Sequence, residues 1–204
     1  MQMRSGTSDD LLPIVALHVD SWRSAFAGIM PDSFLNGPVA DDRLALWRER
    51  LASPVRGSGL FVAHDGDGEL LGFVYLLPAP DGRILLDNLH VRPGGTGSGI
   101  GTQLLRRGLA WAADEHPGRE VYLEVLKANT RAIAFYERHG AGSVNVVGRP
   151  PRYSGYRESK PSALKLWITS RTLSALVNVT SRSWRHPCSP QTAAQRGERC
   201  LMRH

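Results

Sequence analysis

The feature that most constrains this chain is a short apolar run that enters a glycine-dense turn and continues into an amphipathic helix. The apolar run covers 84–91, five glycines fall between positions 94 and 101, and one apolar helical face extends over 100–114. Glycine lets the backbone turn tightly and approach a ligand closely. The first N–H groups of a helix lack intrahelical partners, and the helix dipole adds positive charge there. The stretch therefore predicts a strand, a loop and a helix N-terminus suited to a pyrophosphate.

Two common phosphate-binding motifs fit this stretch poorly. A P-loop ends in G-K-[ST], whereas this loop ends in Gly101-Thr102 and has no lysine. A Rossmann loop follows the first strand of a βαβ unit, whereas this loop lies deep in the chain. Taken alone, the glycines also fit an ordinary connection between elements, so the function of the loop depends on what surrounds it.

Two blocks of sequence, in a fixed order, indicate the family of this loop. Val91-Arg92-Pro93 leads into 96–101, which follows the pattern [QR]-x-x-G-x-G except that Thr96 replaces the Gln or Arg. After the helix comes L-E-V-L-K-A-N-T-R-A-I-A-F-Y-E-R-H-G-A at 123–141. Together the two blocks resemble the acetyl-CoA site of the GNAT acyltransferase superfamily. Because Thr96 departs from the pattern, the loop is expected to bind through its backbone N–H groups.

The resemblance implies an α/β fold, with a mixed, mostly antiparallel central sheet flanked by helices on both faces. It implies acetyl-CoA as the acyl donor, with no metal. The strand before the loop is expected to splay from its neighbour, so that pantetheine binds along it like an added strand. Asn129 would hydrogen-bond the pantetheine arm, and it also suits a helix N-cap. The implied cofactor-binding residues are Leu89, His90, Val91, Gly97, Ser98, Gly99, Ile100, Gly101, Thr102 and Asn129.

Acetyl transfer to an amine needs a base for the amine proton, donors for the oxyanion and an acid for the leaving thiolate. By the resemblance, Tyr136 lies beside the thioester sulfur and is the acid, while packing on the sheet edge is its alternative role. Glu124 matches a glutamate of ribosomal-protein N-terminal acetyltransferases that removes the amine proton through water. Asp87 is the second candidate base, because many relatives carry Glu at the position of Leu85. Strict alternation places 85, 87, 89 and 91 on one face, with His90 packed on the other.

The acceptor side of the site is expected near the first helix. The string W-R-S-A-F-A-G-I-M-P at 22–31 resembles a W-R-x-A-[YF]-x-G-x-x-P string of a bacterial GNAT subset. The first two helices of this fold flank the acceptor pocket. Trp22, Phe26 and Met30 are therefore candidate substrate-facing residues, and Trp22 and Phe26 fit an ordinary core equally well.

Hydrophobic periodicity and turn residues predict the other elements. A short first strand falls within 1–8, and one helix follows from position 11. The remaining predictions are a helix at 43–51, strands at 60–64, 70–78 and 121–126, a helix at 130–138, a loop at 149–162, and two paired strands at 143–147 and 163–168.

Charge separates the chain into two parts. Residues 1–148 contain 14 Lys/Arg and 17 Asp/Glu, a net charge of −3, whereas residues 149–204 contain 11 and 2, a net charge of +9. Together with the end of the resemblance near 168, this predicts a catalytic domain at 1–169 and a basic, poorly ordered tail at 170–204. A basic tail alone argues only weakly for nucleic acid, because the domain itself is acidic.

The sequence therefore predicts an N-acetyltransferase that moves the acetyl group to a primary amine by direct transfer in a ternary complex. The acceptor is a small molecule or a protein N-terminus, and the protein is a monomer or homodimer. No signal peptide or membrane span is visible, and two cysteines in the tail fit a reducing cytoplasm. The alternative is a regulatory module or pseudo-enzyme that binds acyl-CoA without turnover.

Overall fold

The computed structural model describes residues 1–95, 97–147 and 163–168, so Thr96, the predicted loop at 149–162 and the predicted tail at 170–204 lie outside the described residues. A 3₁₀ turn at Ser8–Asp10 precedes the first helix. The strands are β1 (Gln2–Ser5), β2 (Gly59–His64), β3 (Leu70–Pro78), β4 (Ile84–Val91), β5 (Val121–Leu126), β6 (Ala141–Val147) and β7 (Ala163–Ile168). The helices are α1 (Leu11–Ala25), α2 (Asp32–Leu35), α3 (Val39–Ala52), α4 (Ile100–Glu115) and α5 (Thr130–Arg138).

The seven strands form one sheet in the order β1-β2-β3-β4-β5-β7-β6. Only β4 and β5 run parallel, and the other neighbours are antiparallel. The predicted pairing of the last two strands is confirmed, since β6 and β7 pair from Ala141↔Ile168 to Val147↔Ala163. This is the mixed, mostly antiparallel α/β sheet that the sequence predicts. Within the described ranges, no helix combines the length and the apolar character needed to cross a membrane.

Helices cover both faces of the sheet because the side chains of β3 alternate between two cores. Val74 and Leu76 join the core under α4, whereas Phe73 and Tyr75 pack with Trp47 in the core under α1 and α3. The apolar stripe predicted for α4 is buried, and its members are Ile100, Leu104, Leu105, Leu109 and Ala112. The periodicity of this helix thus decides which of its faces meets the sheet.

The sequence missed two features between α1 and β2. The short α2 was not predicted, and α3 begins at Val39 rather than at 43. Asp41 and Asp42 occupy the first turn of α3, where negative charge is favourable beside the helix dipole. The apolar pattern that predicted the helix begins later than these acidic residues, so it gave a start that was too late.

A β-bulge in β4 changes which side chains face which core. The register runs Tyr75↔Asn88 and then Leu76↔Leu86, which leaves Asp87 as the extra residue. Cross-strand partners share a face, so Leu86 and Leu89 both lie on the α4 side although three positions separate them. The prediction that 85, 87, 89 and 91 share one face is therefore wrong, because a bulge breaks the period of two.

The two parallel strands separate soon after they begin. β4 pairs with β5 only at Ile84↔Val121 and Leu85↔Tyr122, although β4 continues to Val91 and β5 to Leu126. The C-terminal halves of the two strands therefore have no ladder between them. This is the splay that the sequence predicts beside the glycine loop, and it leaves backbone groups of β4 free to bind an added strand.

Close packing of β3 on β4 allows a stability test at Gly72. A Cβ at this position would lie 2.7 Å from the His90 carbonyl oxygen and 2.9 Å from a Leu104 methyl group. Because backbone would have to move, we expect Gly72→Ala to lower the free energy of unfolding by about 1–3 kcal/mol, measured by denaturant titration. Gly66→Ala is the matched control, because a Cβ there meets no atom within 4 Å. Equal effects of the two substitutions would contradict this packing.

Candidate active site

A cavity of about 510 Å³ lies where β4 separates from β5. Leu89, His90 and Val91 of β4 line its floor, and the glycine loop lines one end. The C-terminal half of α1 and the helix α5 provide two further walls. The cavity therefore brings together the strand, the loop and the second sequence block that were predicted to form one site.

The glycine loop presents its backbone to the cavity. Gly99 is the N-cap of α4 and adopts φ 83°, a left-handed conformation that favours glycine. The first helical hydrogen bond of α4 runs from Gln103 N–H to the Gly99 carbonyl, so the N–H groups of Ile100, Gly101 and Thr102 have no intrahelical acceptor. Gly95, Gly97, Gly99, Gly101 and Thr102 line the cavity. The loop and helix terminus thus have the geometry of an anion site.

Two residues of the predicted donor loop have structural roles instead of facing the cavity. Ile100 is buried in the core under α4. The hydroxyl of Ser98 donates a hydrogen bond to the Gly95 carbonyl and is exposed. Neither side chain lines the cavity, so any contact of these two residues with a phosphate would come from the main chain.

The second sequence block forms the wall opposite the loop. Asn129 is the N-cap of α5, and its side-chain oxygen accepts a hydrogen bond from Ala132 N–H at 3.1 Å. Tyr136 lies two turns further along the same wall and is 8% exposed. Burial raises the pKa of Tyr136 above its ordinary value of 10, so the hydroxyl stays protonated at neutral pH. A protonated hydroxyl at the cavity wall is able to donate a proton or a hydrogen bond.

A hydrogen-bond chain joins the two helices that flank the anion site. The His139 Nδ1–H donates to the Phe135 carbonyl at 2.8 Å, so the other ring nitrogen, Nε2, is directed away from α5. Thr102 Oγ1 lies within hydrogen-bond distance of that Nε2, at 3.1 Å. Arg131 and Arg138 of α5 also line this part of the cavity. The chain therefore fixes the first turn of α4 against a basic wall.

The two predicted bases lie off the cavity. Asp87 forms an ion pair with Arg50 of α3 at 2.6 Å and is not part of the cavity lining. Glu124 of β5 is half-buried and likewise does not line the cavity, although it lies on the α1 side of the sheet with Leu126. In the described part of the chain, no carboxylate lines the cavity.

The predicted substrate-facing residues of the first helix divide into two groups. Trp22 and Met30 are each 3% exposed and pack with Phe34, Leu35 and Val39 in a helical cluster, so they do not reach the cavity. Phe26 belongs to the same cluster and also lines the cavity. The sequence allowed either a substrate-facing role or a core role for Trp22, and the structure places its side chain in the core.

Helical spacing places Ser21, Ser24 and Ala25 on the cavity wall. These three positions are related by three and four residues, so they share one helical face. The sequence signal for this wall is the group of small and polar residues at 21, 24 and 25, whereas the prediction of substrate contacts relied on aromatic residues of the same segment. Ser21 Oγ lies 2.8 Å from His90 Nδ1, which joins α1 to β4 at the cavity.

Comparison with known proteins supports the family that the two sequence blocks indicate. The model of the acetyltransferase (GNAT) family matches residues 19–141, which is more than half of the chain. A probable N-acetyltransferase of Mycobacterium tuberculosis is 28% identical over 141 residues, covering 68% of this chain and 78% of that protein. The streptothricin acetyltransferase of Streptomyces lavendulae is 37% identical over 84 residues, covering 41% of this chain and 44% of that protein.

Among solved structures, the PaiA N-acetyltransferase from Thermoplasma acidophilum, in complex with coenzyme A, has the same fold. Its TM-score is 0.61 at 19% identity, and the match covers 80% of this chain and 96% of that one. The family match runs from the second half of α1 to the start of β6 and so includes the glycine loop, the separated strands and Tyr136. The chain therefore belongs to the acetyltransferase (GNAT) family and is an acetyl-CoA-dependent acyltransferase.

Proposed function

We propose that this protein transfers the acetyl group of acetyl-CoA to a primary amine by direct attack within a ternary complex. The observation that carries the proposal is one continuous cavity that extends from the anion-binding loop past Tyr136 to the wall formed by α1. Such a cavity is able to hold a nucleotide-linked thioester and a second substrate at the same time. Holding the two reactants together converts a bimolecular reaction into an effectively unimolecular one.

In this proposal the acyl donor binds along the residues that the sequence assigned to it. The N–H groups of the loop and of the first turn of α4 hold the pyrophosphate, as helix N-termini hold anions. The main chain of Leu89 and Val91 pairs with pantetheine in the opening between β4 and β5. Asn129 contacts the pantetheine arm through its amide N–H₂ while its oxygen caps α5. The basic side chains Arg131 and Arg138 complement the charge of the nucleotide.

The chemical step needs a neutral amine and a protonated leaving group. The amine nitrogen attacks the thioester carbonyl carbon, an N–C bond forms, and the C–S bond breaks. The CoA thiolate takes a proton from the Tyr136 hydroxyl, and the proton lost by the nitrogen returns to the solvent and then to the tyrosine. Asp87 and Glu124 lie off the cavity wall, so the proposal includes neither as a direct contact of the nitrogen.

The proposed acceptor class is an inference from the family and from the cavity wall formed by α1. We infer that the acceptor is a small molecule or a protein N-terminus, and that the string at 22–31 marks a GNAT subset. The partial similarity to a streptothricin acetyltransferase supports a small-molecule acceptor, but it covers only 41% of this chain. The domain proposed to carry this activity is 1–169.

An amine panel tests the proposed function. We expect the purified protein to release free thiol from acetyl-CoA when tyramine, spermidine or alanyl-alanine amide is present, at a rate well above that of acetyl-CoA alone. Mass spectrometry of the amine should show one added acetyl group. A different result would favour a non-catalytic binding module: calorimetry would show tight acetyl-CoA binding, but none of the three amines would increase thiol release from acetyl-CoA.

A further inference from the structure

Two polar side chains at the cavity take no part in the donor contacts or in the acid step proposed above. Ser21 on α1 and His90 on β4 lie 69 positions apart, and their Oγ and Nδ1 atoms are 2.8 Å apart. Both residues line the cavity, Ser21 on the α1 wall and His90 on the floor formed by β4. A hydrogen bond between two walls of a cavity fixes the direction in which the hydroxyl is presented.

The ring of His90 is held in place and remains neutral. It contacts the His18 ring at a centroid distance of 4.2 Å and the Phe73 ring at 5.3 Å. His18 is fully buried, and its Nδ1 accepts a hydrogen bond from the Trp47 indole N–H at 2.8 Å. Removal from water, with the positive charge of Arg43 as the second cause, lowers the pKa of His90 to about 3. His90 is therefore a fixed, neutral partner at physiological pH.

The hydrogen bond to His90 leaves Ser21 able to accept another one. If the hydroxyl donates to Nδ1, both oxygen lone pairs stay free, and if Nδ1–H donates, one lone pair stays free. In either tautomer the oxygen is able to accept an N–H from a ligand. Because no carboxylate lines the cavity in the described residues, this oxygen is a neutral acceptor on the wall where the second substrate is expected.

We propose that Ser21 is the hydrogen-bond contact for the amine nitrogen of the acceptor and that His90 positions the Ser21 hydroxyl for it. This inference depends on the proposed function, because it assumes an amine acceptor. Ser21 would touch the substrate directly, whereas His90 acts through Ser21. The bond holds the attacking nitrogen at the β4 floor, and the thioester is expected to lie along the same strand.

Ser21 substitutions test the contact without threatening the fold, since alanine favours a helix. We expect Ser21→Ala to raise the KM of whichever of tyramine, spermidine and alanyl-alanine amide the wild-type protein acetylates by about three- to tenfold. Ser21→Thr keeps the hydroxyl and should retain a KM near the wild-type value. The calorimetric Kd for acetyl-CoA should not change. Ser53→Ala, at an exposed serine after α3, is the control and should change neither quantity.

His90 substitutions test the positioning role. Asn keeps a polar atom near the position of Nδ1, whereas Leu does not. The acceptor KM of His90→Asn should therefore stay near the wild-type value, and that of His90→Leu should rise. The double variant Ser21→Ala/His90→Leu should have the KM of Ser21→Ala, because the two residues act as one unit. An unchanged acceptor KM in Ser21→Ala, or additive effects in the double variant, would overturn the inference. Failure of all three amines with the wild-type protein would instead refute the proposed function, and this inference with it.

Discussion

Replacing Tyr136 with phenylalanine is expected to lower kcat by about 10²–10³-fold, near the lower end of the usual range for general acid–base catalysis. The substitution keeps the ring and its packing in the cavity wall but removes the proton that the leaving thiolate needs. The Kd for acetyl-CoA should change less than about threefold, because the proposed role of the hydroxyl is to protonate the leaving thiolate and not to bind the intact thioester. Steady-state thiol release and calorimetry measure the two quantities separately.

A second tyrosine provides a matched control for this substitution. Tyr75 is also buried, its hydroxyl has no hydrogen-bond partner among the described residues, and it lies in the core under α1 and α3, away from the cavity. Tyr75→Phe should therefore leave kcat unchanged. If Tyr136→Phe were equally silent, alignment of a neutral amine with the thioester would account for the rate without an acid.

The raised pKa of Tyr136 also predicts how kcat depends on pH. Burial raises the pKa above 10, so the protonated form is present at all lower pH values and is lost only as the pH rises through the raised value. We therefore expect no fall in kcat below pH 10 that is due to this tyrosine. A fall near neutral pH that disappears in Tyr136→Phe would contradict the role of a buried acid.

Replacing Gly101 with aspartate is expected to weaken acetyl-CoA binding by more than about 100-fold. The new carboxylate would lie in the first turn of α4, where it competes for the N–H groups that hold the pyrophosphate. Two like charges at about 4 Å repel by roughly 4 kcal/mol at an effective dielectric constant near 20, which is enough for this loss. Calorimetry with acetyl-CoA measures it directly.

The fold should tolerate a side chain at Gly101, which makes this glycine a better test than Gly99. A Cβ at position 101 would lie 3.5 Å from Val91 and from Phe135, an ordinary contact distance. An acidic residue in the first turn of a helix is favourable in itself. Gly101→Ala adds the same Cβ without charge and should weaken binding less than tenfold. A folded Gly101→Asp protein with the wild-type Kd would refute the assignment of this loop to acetyl-CoA.

The sequence predicted most of the regular elements because their signals are local. Strands β3, β4, β5 and β7 and helix α5 have the bounds that periodicity and turn residues indicated, and α4 ends one residue later. Local sequence also indicated the glycine loop. Gly99 adopts a left-handed backbone conformation, and glycine adopts this conformation without help from distant residues. The short α2 and the early start of α3 were missed because neither begins with an apolar period.

The placement of side chains on β4 and α1 was predicted less well. Alternation along β4 suggested that Asp87 shares a face with Leu89, but the bulge removes that alternation, and Arg50 of a distant helix pairs with the carboxylate. Aromatic residues of α1 suggested substrate contacts, but Trp22 turns into the helical cluster and Ser21 reaches the cavity. Both differences between the expected and the observed placement concern how an element is rotated or registered against its neighbours.

What the sequence by itself determined is the family, the α/β sheet with its helices, and the glycine loop that we propose as the binding site of the acyl donor. These depend on hydrophobic period, backbone conformation and motif order, which neighbouring residues encode. Only the tertiary structure decided that the β4 register contains a bulge, that Ser21 meets His90 across 69 positions, and that the His90 ring remains neutral. The physical reason is that register, burial and pKa depend on packing between residues far apart in the chain, and no local pattern contains that packing.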